Sequence, residues 1–151
     1  TTKERLILMV TTGVGTLFRR WDSASGSGEN ISEITSIDGP GMTRNTIDTT
    51  TLDTTGGYRT FITGFRDGGN ITLEMNFTRA VFDTMKSDFE SDTIQDYEIV
   101  LPDDDVTTLE FQGLVTECPL TIPEETITMS VTIKISGQVT VESGSGPSPS
   151  V

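Results

Sequence analysis

The 151-residue sequence contains no histidine and a single cysteine, Cys118. Without histidine, neither Ser-His nor Cys-His catalysis is possible, and one thiol makes neither an internal disulfide nor a multi-cysteine zinc site. Cys118 stands beside Pro119 with no neighbour that would activate a thiolate, so it reads as a small buried or semi-buried side chain. No apolar run approaches the roughly 20 residues needed to span a bilayer. The short run at residues 6–10 follows Glu4 and is a poor signal peptide. Apolar residues make up only 33% of the chain, which points to a subunit that completes its burial against copies of itself.

Positive charge is also scarce, with 10 Lys and Arg against 23 Asp and Glu and a net charge of −13. The imbalance is confined to one half: residues 1–80 carry 8 basic and 9 acidic side chains, residues 81–151 carry 2 and 14. Such a chain cannot grip nucleic acid by neutralising phosphates. What the sequence does have is threonine, 27 in all, and a β-branched polar residue in that abundance fits strands with one wet face.

Strand periodicity is widespread. Residues 16–21 place Leu17, Arg19 and Trp21 on one face and Thr16, Phe18 and Arg20 on the other. Residues 23–30 read as a loop, 31–37 as a mixed strand, and the DGPGM run at 38–42 as a sharp turn. A Thr-rich strand with few apolar anchors spans 43–52, and its register needs something outside it. Residues 53–69, with five glycines around Tyr58, Phe61 and Phe65, read as a long functional loop. Ile71, Leu73, Met75 and Phe77 then alternate as a half-buried strand.

One helix is expected after Thr78, an N-cap, with Val81, Phe82, Met85 and Phe89 facing the core and Asp83, Lys86, Asp88 and Glu90 facing water. Tyr97, Ile99 and Leu101 form the next apolar face, and Leu109, Phe111 and Val115 another, with Gly113 as a bulge. Ile127 to Val141 alternates most regularly of all. Unbroken, residues 126–142 would extend about 50 Å, so the strand either breaks at Gly137 or lines something larger than one subunit. Residues 143–151 read as a flexible tail, giving one domain over 1–142 with an N-terminal arm at 1–10.

Carboxylates are the remaining route to chemistry. Asp103, Asp104 and Asp105 lack the spaced oxygens, glycine and bidentate Glu of a calcium loop, and read as an acidic hairpin tip. No two acids pair into a glycosidase site, and no phosphate loop occurs. The sequence therefore offers no catalytic residue, cofactor site or metal site, and the chain reads as no enzyme.

The segment at 31–89 carries a turn near Asp38, the run TIDTTTLD, then Tyr58, Arg59, Phe61, Gly64, Asp67, Gly68 and Gly69, and a strand ending at Phe77 before a short helix. In order and spacing these features, extending to about residue 139, resemble the major tail tube proteins of long-tailed bacteriophages with non-contractile tails, or of prophages. The resemblance implies a mainly β fold, a β-sandwich or rolled sheet with one flanking α-helix, whose strands join those of neighbours in a hexameric inner β-barrel. It implies stacked rings forming a conduit for DNA, which passes the lumen without specific binding. Expected partners are other copies of the chain, a tape-measure protein and tail terminator or tip proteins. The expected location is the virion tail, assembled in the host bacterial cytoplasm, with no membrane segment.

Two surfaces are then expected. Asp38, Arg44, Tyr58, Arg59, Phe61, Phe65, Arg66 and Asp67 would form ring and stacking contacts. Thr128, Ser130, Thr132, Lys134 and Ser136 would face the bore, with Asp96, Glu98 and Glu110 near them, an acidic wall that repels phosphate. The rival reading is a β-sandwich binding module on a secreted or cell-surface protein.

Overall fold

The structure, a computed structural model, describes residues 13–22, 27–31, 33–53 and 55–143. The N-terminal arm at 1–10 and nearly all of the C-terminal tail lie outside the described residues. Ten strands and one helix follow in chain order: β1 (Leu17–Asp22), β2 (Ser27–Ile31), β3 (Ile34–Asp38), β4 (Thr43–Asp48), β5 (Phe61–Asp67), β6 (Asn70–Asn76), α1 (Arg79–Glu90), β7 (Gln95–Val100), β8 (Thr108–Glu117), β9 (Leu120–Thr121) and β10 (Thr128–Glu142). Seven strands form an antiparallel sheet in the order β2-β1-β7-β8-β10-β6-β3, with β9 added beside β10. Strands β4 and β5 form a separate two-stranded hairpin. The chain is thus mainly β with one flanking helix, as the sequence indicates.

The core follows from the alternation. Met129, Val131, Ile133 and Ile135 of β10 are buried on one face, beside Ile71, Leu73 and Met75 of β6 and Phe111 and Val115 of β8. Phe18, Tyr97 and Phe111 stack across β1, β7 and β8, with ring centroids 5.6–6.4 Å apart. All belong to one cluster, so the sheet rolls and its apolar faces meet. A cleft of about 620 Å³ remains where β3 approaches the start of β1 and the ends of β7 and β8.

Helix α1 closes this core. Thr78 Oγ1 accepts the Val81 N–H at 3.4 Å, the N-cap expected, and Val81 and Met85 point inward. Two of the helix assignments are corrected. Phe89 is half exposed, and Asp88, expected to face water, is buried. Arg20 projects from the inner face of β1, and its guanidinium gives Asp88 a partner there: Nε and Nη2 donate to the two carboxylate oxygens at 2.8 Å each. Tyr97 Oη donates to the same carboxylate at 2.7 Å.

Other departures lie where pairing partners are distant in sequence. Residues 27–30, expected to be part of a loop, join Ile31 in β2, because Ser27 to Ile31 pair antiparallel with Asp22 to Phe18. The single strand expected at 31–37 is interrupted, with Glu33 at φ 64°. The Thr-rich strand ends at Asp48 rather than residue 52, and the loop expected over 53–69 contains β5. Gly113 is not a bulge: it sits in regular register opposite Ile135. A Cβ there would come within 2.6 Å of the Ile133 side chain and 2.8 Å of the Lys134 carbonyl, so close strand packing is what requires glycine. The register shifts lie instead in β8 between Val115 and Glu117 and in β10 after Ser136, where Gly137 has φ 91°, and β10 runs through the latter unbroken to Glu142.

Candidate functional site

The first surface is the outer face of the sheet, opposite the core. Thr128, Ser130, Thr132, Lys134 and Ser136 alternate with the buried residues of β10 and are all partly exposed. Cross-strand pairing extends this face. On one side it reaches Asn76, Glu74, Thr72 and Asn70 of β6. On the other, Ser136 pairs with Gln112, Gln112 with Asp96, and Glu110 with Glu98. Pairing thus places Asp96, Glu98 and Glu110 on the same side of the sheet as these five residues of β10. Arg19 and Trp21 of β1 join it opposite Glu98 and Asp96, and the sequence reading did not assign them there. Their alternation with Phe18 and Arg20 was the available signal.

Charge on this face is mostly negative and unevenly compensated. Lys134 Nζ bonds the Asp67 carboxylate at 2.8 and 3.1 Å, and Gln112 Nε2 donates to Asp96 at 2.9 Å. Glu98 is only 3% exposed and faces Arg19 at 3.6 Å, too far for a hydrogen bond, so Glu98 Oε1 and Arg19 Nε are buried without a hydrogen-bond partner. Burial pushes the Glu98 carboxyl above the usual carboxylate range; Arg19 pulls it down, while Glu110 and Glu142 push it further up. The fold thus favours the neutral acid, and Glu98 costs stability as pH rises through the carboxylate range. Glu98→Gln is expected to remove that cost. Urea midpoints measured at about pH 4.5 and 7 should show the variant gaining on the parent as pH rises. Equal gaps at both pH values would mean that Arg19 fully compensates the charge.

The second surface is the β4–β5 hairpin. Every residue of β4 is exposed. The strands pair Arg44 with Arg66, Thr46 with Thr63, Ile47 with Ile62 and Asp48 with Phe61. Its tip is held by threonines rather than by a core: Thr49 N–H donates to the Thr60 carbonyl at 2.9 Å, and Thr60 N–H to Thr50 Oγ1 at 2.8 Å. Hydrogen bonding from the Thr50 hydroxyl and then from the Thr50 N–H, 2.8 Å away, holds the Asp48 carboxyl below the usual range, and Asp48 pairs with Arg59 at 3.3 Å. At the base, Gly69 has φ 78°, and a Cβ on it would overlap the Gly41 carbonyl, so the crossing of the two strands demands glycine.

Phe65 is 89% exposed, Tyr58 78% and Phe61 53%. These were expected to anchor the loop, but Phe65 and Tyr58 are largely exposed and Phe61 is half exposed. Met42, Ile47, Leu52 and Ile62 are exposed with them, and the sequence reading did not single these out. Of the remaining expected contact residues, Asp38 ends β3, Arg59 sits at the hairpin tip, and Asp67 closes β5 against Lys134. A cleft of about 840 Å³ separates the hairpin base from residues 134–139 of β10.

Neither surface is arranged for catalysis by an obvious nucleophile. No group of three or more His, Cys, Asp or Glu side chains among the described residues is placed to hold a metal ion. Cys118 is half-buried, and burial raises its thiol pKa. No helix among the described residues is long and apolar enough to cross a membrane.

Comparison with known proteins bears on these surfaces. The sequence model of the lambda phage tail tube protein family matches residues 11–142. No curated protein sequence matches the chain. Among solved structures, the tail of an empty gene transfer agent particle, refined with C6 symmetry, superposes with a TM-score of 0.73 at 17% identity, covering 89% of this chain and all of the other. The sheath–tube complex of an extracellular contractile injection system gives 0.70 at 16% identity, covering 95% and 99%. The SPP1 tail tube gives 0.68 at 11% identity, covering 89% and 80%.

Proposed function

The chain belongs to the lambda phage tail tube protein family and is a structural tail tube protein, and from that premise we propose that six copies close into a ring and that rings stack into a hollow tube for genome delivery. C6 symmetry in the gene transfer agent tail supports the number six. If each of six subunits contributed four strands, 24 strands about 4.8 Å apart and tilted about 40° would close a barrel on the order of 50 Å across, enough for a DNA duplex. The outer face of the sheet is the wall of that bore in this reading. Its Thr, Ser and Gln side chains keep it wet, and Asp96 and Glu110 keep phosphate from adhering, while Glu98, expected among them, is buried within that face.

The observation that carries the reading is the hairpin. A free subunit that leaves Tyr58, Phe61, Phe65, Ile47 and Ile62 in water presents an apolar surface that a partner must cover. Copies of the same chain are the partner proposed. The role is mechanical, without catalysis or cofactor, in the tail of the virion after assembly in the host cytoplasm. A terminator would cap the last ring and a tape-measure protein would set the tube's length. Negative-stain images of the purified protein should show rings or tubes. Uniform small particles at every concentration, together with a monomeric sedimentation profile, would refute the assembly.

A further inference from the structure

The hairpin carries a charge arrangement that the free subunit does not resolve. Arg44 and Arg66 stand directly opposite each other across β4 and β5. Like charges in that position destabilise a two-stranded pair. Neither has an ion pair among the described residues; Arg44 Nη2 donates to Thr63 Oγ1 at 2.7 Å. The nearby Asp67 is already taken by Lys134. Other cations are engaged within the subunit: Arg19 faces Glu98, Arg20 binds Asp88, and Arg79 and Lys86 pair along the helix with Asp83 and Glu90. The Arg44–Arg66 pair therefore lacks an anionic partner among the described residues and lines a cleft beside exposed Met42.

We propose that this site receives Glu124 and Glu125 of a second copy of the chain, so that the hairpin base of one subunit locks onto the β9–β10 turn of the next ring; the inference rests on the tail tube reading. Every residue of the turn at 122–127 is exposed in part or in full, and the two glutamates lie between Ile122, 71% exposed, and Ile127, 39% exposed. It thus offers the same mixture of charge and apolar area as the hairpin, with opposite sign. Position favours it over the other acidic tip, Asp104 and Asp105. The hairpin base runs beside residues 134–139 of β10, and the 103–106 loop lies toward that same end, since Thr108 pairs with Glu142. The 122–127 turn precedes Thr128 at the opposite end. A contact that repeats along a stack must join opposite ends of the subunit.

Charge reversal tests the pairing. Arg44→Glu with Arg66→Glu, and separately Glu124→Lys with Glu125→Lys, should each raise the subunit concentration needed for tubes by at least about tenfold. The chain carrying all four changes should return to within about threefold of the parent. Circular dichroism and sedimentation of the free subunits verify folding, and the turn variant alters only an exposed loop should the hairpin variant misfold. Parent protein that forms no tubes refutes the tail tube assembly itself. Parent tubes with unaffected reversal variants, or without rescue in the fourfold variant, overturn the pairing alone. Rescue of the hairpin variant by Asp104→Lys with Asp105→Lys also overturns it. So does loss of duplex DNA binding in the hairpin variant with assembly intact, which would make phosphate the anion.

Discussion

Phe61→Ala combined with Phe65→Ala is expected to yield soluble, folded subunits that do not build tubes. Both rings lie on β5 and face water in the free subunit, so truncating them removes little intrachain packing. Surface changes of that kind usually stay within about 0.5 kcal/mol of the parent's stability. Between subunits the balance differs. Burying a Phe side chain contributes about 1.5–3 kcal/mol, so two rings supply about 3–6 kcal/mol per contact, or roughly two to four decades of association constant. The measurement pairs a thermal melt with electron microscopy across a concentration series. Tubes forming at the parent's threshold would remove the hairpin from the assembly contact and turn attention to the N-terminal arm.

Asp88→Ala is expected to do the reverse, damaging the subunit before assembly begins. The carboxylate receives two bonds from Arg20 and one from Tyr97 inside the seam between α1 and the sheet. Removing it takes the anion from a largely buried guanidinium, which keeps Gln95 Oε1 as a neutral acceptor, and strands a buried phenol, a loss of about 3–5 kcal/mol for breaking one side of such a pair. For a chain of this size that corresponds to a fall in Tm of roughly 6–20 °C. Burial is the first cause of the raised Tyr97 pKa, and Asp88's charge and hydrogen bond add to it, so the phenol stays protonated and donating throughout the accessible pH range. Removing the exposed Lys86–Glu90 pair instead should leave stability close to the parent's. Similar losses for Asp88→Ala and Lys86→Ala in urea unfolding would show that the seam does not depend on the buried pair.

The two substitutions divide the molecule into a rolled core packed within the subunit and an appendage whose apolar side chains are exposed in it. That division explains the low apolar content. Its core is small but complete, built from the inner faces of β6, β8 and β10 and from α1, while several of its large side chains lie on the hairpin outside it.

Local period alone determined the polar face and the core face of β10, because Thr128 to Ser136 alternate with Met129 to Ile135 strictly enough to settle both sides whatever the partners. It likewise determined the capped helix after Thr78 and the strand at 70–76. Tertiary structure decided what depends on residues distant in sequence. The pairing of β4 with β5 turned an expected glycine-rich loop into a hairpin and set Arg44 opposite Arg66, 22 positions away. Arg20, 68 residues from Asp88, made an acid on the helix's apparent wet face a buried one. Glu98 became a buried acid only where Arg19, Glu110 and Glu142 converged on it. Side-chain period reports which face of an element is apolar, but not which element covers the other face, and a charged residue is buried or exposed according to that cover.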